Sequence, residues 1–372
     1  MEHVYIDATM KCIADVSDLR DLETIRSRVK SEGLSFLTIT LPQFCNDLER
    51  ALREGGIDSK AFRSFRKAQG IPAFLQGILS QLFDRETGRI YDKNSNKTEQ
   101  ELRDCSTYVE AIREICLVFK KIEIQCTPER TRAALDSFVT IEQSFDVFEL
   151  QDCQIDDFKS VCQVLWPPIV SSCELNDLVP SHGPGATAEG VSGNQKYLWH
   201  RWHDRLEPYF PLIGTGYPLA AGPDSEELKF VSIVSAVQEQ PVRVIPVPKT
   251  LKGPRIIAIE PCCLQYAQQG IRNWLYSQIE SSRLTAGHIN FSDQSINQRL
   301  ALDSSSTGRL ATIDLSDASD RVPRSLALEM FSSHPDLRDA IDACRSDSAE
   351  LPDGRVISPL RKFASMGSAL CF

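Results

Sequence analysis

Two apolar, β-branched runs on either side of a short basic stretch constrain this chain most. Residues 242–247 (Val-Arg-Val-Ile-Pro-Val) and 255–259 (Arg-Ile-Ile-Ala-Ile) read as strands. Between them Pro248-Lys249-Thr250-Leu251-Lys252-Gly253-Pro254 is a basic turn, so the whole is a hairpin. A lone hairpin is marginal in water and needs a cover. The pattern Leu264, Ala267, Ile271, Leu275 and Ile279 predicts a helix that supports it. The fold class expected is therefore α+β.

Helical periodicity dominates elsewhere. Leu19, Leu22, Ile25 and Val29 predict a helix over 18–30, ended by Gly33. Residues 34–41 read as a strand closed by Pro42, and 44–53 as another helix. A polar loop at 92–97 is the first candidate boundary. Beyond it Leu102, Cys105, Val109, Ile112, Cys116, Phe119 and Ile122 mark a long amphipathic helix, with a second expected within 127–148. Residues 287–306 read as a polar connection, 324–331 and 337–345 as helices, and Pro352-Asp353-Gly354 as a turn between strands 349–351 and 356–357.

With 372 residues and 42% hydrophobic content, two or three domains with buried cores are expected. No run of about 18 uncharged apolar residues occurs, so a membrane-spanning helix is not expected. Glu2 and Asp7 stand where an export signal would be basic and then apolar, which points to the cytosol. The twelve cysteines are scattered without C-x-x-C spacing, and the adjacent Cys262 and Cys263 suit neither zinc nor an ordinary bridge, so reduced thiols are expected. A net charge of −10 would disfavour a nucleic-acid partner if it were evenly spread. It is not, because residues 241–310 carry eight bases against four acids. A basic channel inside an acidic shell is compatible with that asymmetry. Three other features read as structural: the solvated cations Arg63, Arg66 and Lys67; the plain turn His182-Gly183-Pro184-Gly185-Ala186-Thr187; and a core of Trp199, Trp202, Tyr209, Phe210 and Tyr217.

The chemistry concentrates at 308–321. Leu310, Thr312 and Ile313 read as a short strand with Asp314 at its end. An aspartate there has a fixed backbone behind it and an open side in front. That suits a catalytic Mg²⁺, which keeps several waters and takes other ligands from substrate phosphates. The plainer reading has Asp317 and Asp320 capping the next helix, with Ser316 and Ser319 as further candidates.

The stretch Ile313-Asp314-Leu315-Ser316-Asp317-Ala318-Ser319-Asp320 resembles motif A of the RNA-directed RNA polymerases of single-stranded RNA bacteriophages, the levivirus replicase β subunits. The run from Val247-Pro248-Lys249 through Arg255 to Ile259-Glu260-Pro261 is similar to their fingers motif, and Asp293-Gln294-Ser295-Ile296-Asn297-Gln298-Arg299 to their D-Q-x-I-N-Q-R segment. Ala364-Ser365-Met366-Gly367-Ser368-Ala369 resembles motif B, with Ser368 and Ala369 where better-known members carry Asn and Gly. Looser similarity is seen at 31–42 and 182–187, so the resemblance reaches over nearly the full chain.

The resemblance implies a right-hand polymerase with fingers and part of the palm. Its divisions would be 1–95, a mostly helical N-terminal region; 96–300, fingers with the basic hairpin 242–260; and 301–372, a partial palm with motifs A and B. It implies replication of a phage RNA genome by two-metal nucleotidyl transfer. Asp314 would be the catalytic carboxylate and, with the backbone carbonyl of Leu315, a ligand of Mg²⁺, two ions acting in the complete enzyme. Lys249, Lys252 and Arg255 would neutralise the triphosphate. Asp320, with Ser319, would test for a ribose 2′-hydroxyl. Ser365 and Gly367 would position template or nucleotide. Implied partners are template and product RNA, nucleoside triphosphates and host elongation factors Tu and Ts, in the cytoplasm of the bacterial host and with no membrane.

No Gly-Asp-Asp occurs, and Asp156-Asp157 lies far upstream, so one half of the two-metal site is missing. The expectation is a C-terminally truncated polymerase with the palm incomplete, the thumb largely missing and no activity on its own. A non-catalytic RNA-binding or host-factor-binding module is the alternative. An aspartyl phosphotransferase using Asp314 would need a second aspartate at position 316, where Ser stands.

Overall fold

In the computed structural model, which describes residues 1–91, 99–219, 226 and 228–371, the predicted helix over 18–30 forms with the expected ends. Asp18 accepts the Arg20 N–H at 2.9 Å to open it, and Gly33, at φ 62°, closes it. The chain divides into two compact units, Met1–Ala134 with Val247–Arg255 and Leu135–Pro246 with Ile256–Phe372.

The first unit begins with helices α1 (Glu2–Met10), α2 (Leu19–Glu32) and α3 (Leu41–Glu54). The strand expected over 34–41 is absent. Phe36–Thr40 instead forms a turn of π-helix that runs straight into α3. A short apolar run cannot by itself be told from a buried helical segment, and Pro42 stands where the π-helical turn passes into α3. A small antiparallel pair, β1 (Lys67–Ala68) and β2 (Ile71–Pro72), precedes α4 (Gln76–Leu82) and α5 (Glu99–Leu117). Helix α5 packs on α1, α3 and α4 over a core that includes Phe36, Phe44, Phe62, Phe65 and Phe74. Arg63 and Arg66 are exposed, as a solvated face requires. The loop at 92–97 lies outside the described residues.

Helix α6 (Pro128–Ser144) starts in the first unit and ends in the second. The second unit continues with α7 (Asp152–Leu165), α8 (Pro167–Val170) and the parallel pair β3 (Arg201–His203) and β4 (Ser232–Val234). The hairpin follows as β5 (Val242–Thr250) and β6 (Gly253–Ile259), joined by Leu251-Lys252 alone, a tighter turn than the seven-residue loop read from the sequence. Lys249 and Arg255 therefore lie on strands. Next come α9 (Cys262–Ser281), α10 (Ser295–Thr307), α11 (Arg324–Glu329), α12 (Pro335–Ala343), β7 (Ala349–Glu350) and β8 (Val356–Ile357). Helix α10 replaces most of the polar connection expected at 287–306. The residues of α10 are too evenly polar to show a buried face, and none of them is buried.

A four-stranded sheet runs in the order β6-β5-β7-β8. Val242 and Arg243 pair in parallel with Ala349 and Glu350, and β7 and β8 form the expected hairpin. Leu135, Phe138, Val242, Val244, Ala258, Leu351 and Leu360 make one core. A second holds Trp199, Trp202, Phe210, Leu264, Ala267, Ile271, Leu337 and Ile341. The apolar face of α9 joins that second core, and the dense aromatics around 199–217 are packing residues, as read. The cysteines are thiols, with no disulfide among the described residues. Among the described residues no helix is long and apolar enough to cross a membrane. Helices and short strands thus mix as an α+β class requires.

Candidate functional site

Gly308, at φ 65°, ends α10, and the chain then runs without regular structure to Leu315. The strand expected at 310–313 is therefore not formed. A strand needs a neighbour to take its backbone groups, and among the described residues none pairs with this stretch. Ile313 is 79% and Leu315 71% exposed, and Asp314 between them is exposed without a hydrogen-bond partner among the described residues. Asp317 takes φ 53° and opens a 3₁₀ turn, Ala318–Arg321, without a side-chain cap. That turn carries Ser319 and Asp320 inward.

There two motifs meet. Asp320 Oδ1 accepts the Ser365 hydroxyl at 2.8 Å and the Lys362 ammonium at 3.1 Å, and Ser319 Oγ donates to Oδ2 at 3.4 Å. The backbone explains why residues 45 apart in sequence touch. Phe363 N–H donates to the Val322 carbonyl and Arg324 N–H to the Arg361 carbonyl, both at 2.8 Å, so the end of motif A is laced to the start of motif B. Arg345 locks the second strand of that lacing. Its buried guanidinium donates to the carbonyls of Leu360 at 2.9 Å, Lys362 at 3.0 Å and Phe363 at 3.2 Å, and to Asp347 at 2.7 Å. Burial lowers its pKa, opposed by Asp347.

The motif B loop is seated just as tightly. Ala258 N–H donates to the Met366 carbonyl at 2.8 Å, and Gly367 takes φ +126°. A Cβ on Gly367 would lie 2.1 Å from the Ala258 carbonyl oxygen, so only glycine fits. Gln268 Oε1 accepts Ser368 Oγ at 3.0 Å and Ala369 N–H at 3.1 Å, while its amide donates to the Cys344 carbonyl at 2.7 Å. Glu260, at the end of the fingers-like motif, accepts Ser346 Oγ at 2.5 Å, and burial raises its pKa. An apolar cavity of about 210 Å³ opens beside Ser319, lined also by Tyr276, Phe291, Phe363 and Leu370. The Tyr276 and Phe291 rings stack at 3.8 Å.

The three hairpin cations belong to the other unit. Lys249, Lys252 and Arg255 are exposed, and none forms an ion pair among the described residues. The Leu251 carbonyl at the turn is held by Arg130 Nη1 at 2.7 Å. In the Gly-Pro-Gly turn the buried Lys196 ammonium donates to the carbonyls of Gly183, at 2.7 Å, and Gly185. Those carbonyls face a cation, which suits a structural turn.

An exposed Asp314 suits one Mg²⁺ whose other ligands are water and phosphate oxygens. Among the described residues no three His, Cys, Asp or Glu side chains gather to hold a metal, so these residues do not complete a two-ion set. Sequence reasoning does not single out Lys362, Arg345 or Gln268. Lys362 alone leaves a signal there, as a cation beside the small and apolar residues of motif B.

An acid and a hydroxyl from separate motifs thus converge beside an apolar cleft. Residues 224–372 match the family model described as RNA replicase, beta-chain. The chain is 42% identical over 130 residues to the RNA-directed RNA polymerase subunit beta of Enterobacteria phage SP and 40% identical over 130 residues to that of Escherichia virus Qbeta, in each case covering 35% of this chain and 21% of the relative. It is 37% identical over 129 residues to the RNA-directed RNA polymerase beta chain of Escherichia phage MS2, covering 22% of that protein. The levivirus resemblance read from the motifs is thereby upheld over this part of the chain. Residues 31–42 and 182–187 lie outside the family match, so the looser likeness there gains no support from it.

Proposed function

We propose that this chain is part of an RNA-directed RNA polymerase that copies a phage RNA genome, with motifs A and B forming its nucleotide site. The observation that carries this reading is the 2.8 Å contact of Ser365 with Asp320, which joins the two motifs that the replicase likeness pairs. Asp320 and Ser319 would meet the ribose 2′-hydroxyl, a group that a carboxylate can bind and that a deoxyribose lacks. Ser365 and Gly367 would set the nucleotide or template beside them. Lys249, Lys252 and Arg255, cations without carboxylate partners among the described residues, would take the triphosphate charge.

Asp314 and the Leu315 carbonyl would hold Mg²⁺, whose chemistry is to activate the attacking hydroxyl and stabilise the leaving phosphates. The second ion needs carboxylates beyond those gathered among the described residues. The fingers and palm divisions at 1–95, 96–300 and 301–372, the host factors Tu and Ts and the host cytoplasm rest on the resemblance alone.

The test is RNA-templated incorporation of labelled nucleotide by the protein expressed from its natural reading frame. The expected result is template- and Mg²⁺-dependent incorporation. RNA binding that ignores Mg²⁺, with no incorporation, would favour a non-catalytic RNA-binding or host-factor-binding module instead.

A further inference from the structure

Lys362 is 1% exposed, and its ammonium has three neighbours among the described residues. Asp320 Oδ1 lies at 3.1 Å, Glu142 Oε2 at 4.0 Å and the ring centre of Phe138 at 3.2 Å. Glu142, on α6, is itself 5% exposed. One of its oxygens accepts the Arg361 N–H, but Oε2 is buried with no hydrogen-bond partner among the described residues. A buried carboxylate oxygen without a donor is unfavourable unless a cation stands close. The ammonium has three N–H groups, and the orphaned oxygen lies about 1 Å beyond hydrogen-bonding distance. Other nearby charges are already paired, Arg361 with Asp146 and Arg324 with Asp342, so they do not compete.

We propose that Lys362 is a positioning residue that holds the Asp320 carboxylate against Ser365, and that Glu142 is the second acceptor that receives the ammonium when Asp320 turns to a ribose hydroxyl. With a single acceptor, releasing Asp320 would strand a buried cation. With two, the ammonium swings from one carboxylate to the other and no charge is left alone. Phe138 keeps it in place during the exchange, because the ring face attracts a cation in either position. The ribose role rests on the polymerase reading, whereas the Lys362 pairing does not.

The experiment combines thermal unfolding with calorimetric titration of ATP and 2′-deoxy-ATP into the whole chain and its variants. Lys362→Met leaves the buried Glu142 and the half-buried Asp320 without their shared cation and lowers Tm by roughly 5 °C or more. Lys362→Met with Asp320→Asn loses less than the sum of the single losses, because the second change removes one stranded charge. Lys362→Arg retains most of the Tm. Glu142→Gln changes Tm little but reduces the preference for ATP over 2′-deoxy-ATP about tenfold, since Asp320 is then harder to release. Additive Tm losses would overturn the pairing. An unchanged preference in Glu142→Gln would overturn the exchange. If the parent chain binds neither nucleotide while the melts remain non-additive, the polymerase reading and the exchange fall and the pairing stands. Should Lys362→Met not fold, the Lys362→Arg and Glu142→Gln measurements decide alone.

Discussion

Gly367→Ala is expected to unseat the motif B loop. At φ +126° an L-residue is strained whatever the space around it, and here the added carbon would meet backbone, the Ala258 carbonyl oxygen at 2.1 Å. Backbone cannot rotate aside as a flexible side chain can. The Ala258–Met366 hydrogen bond must therefore break or β6 must shift, and with it the position of Ser365 relative to Asp320. The cost should be roughly 2–4 kcal/mol, from the conformational strain and the lost hydrogen bond together. Thermal unfolding reads the loss directly. Nucleotide affinity should fall more steeply than in Ser365→Ala, which removes one hydroxyl and leaves the loop in place.

The second large effect is at Arg345. Its guanidinium satisfies three backbone carbonyls, of Leu360, Lys362 and Phe363, from a position where water does not reach. Arg345→Met keeps much of the bulk and removes every donor. The three orphaned carbonyls should together cost about 3–5 kcal/mol, whereas Asp347, exposed to solvent, adds little when its partner is lost. Arg345→Lys should recover only part of that, because one ammonium cannot reproduce the planar fork that spans neighbouring carbonyls. Denaturant unfolding of the three proteins gives the ranking. A Lys variant as stable as the parent would mean that the charge, and not the fork, holds the strand.

Where the sequence is informative, a local rule is at work. Asp18 and Gly33 bound a helix because capping and left-handed termination are set within a few residues. The 242–259 hairpin and the 349–357 hairpin are legible from β-branched runs and turn residues. Asp320 and Ser365 can be chosen because they sit in stretches that resemble known motifs, yet nothing local says that they touch. Their contact depends on the lacing of 322–324 to 361–363 and on Arg345, which are long-range facts. The misreadings have the same origin. Residues 34–41 are apolar enough for a strand, but packing on the phenylalanine core makes them helical. Residues 310–313 have strand propensity and no strand beside them among the described residues. Lys362 leaves only a faint signal beside motif B and Glu142 none, because a buried ion pair is defined by two segments, and each alone looks like surface.

We propose above that this chain carries the nucleotide site of an RNA polymerase. The most direct measurement is calorimetric titration of ATP into the chain with and without Mg²⁺, repeated on Asp314→Ala. Binding should require Mg²⁺ and weaken at least tenfold, about 1.4 kcal/mol, in the variant, with Tm unchanged because Asp314 is exposed and unpartnered among the described residues. ATP binding indifferent to both the metal and Asp314, or none at all beside RNA binding that ignores Mg²⁺, would contradict that proposal.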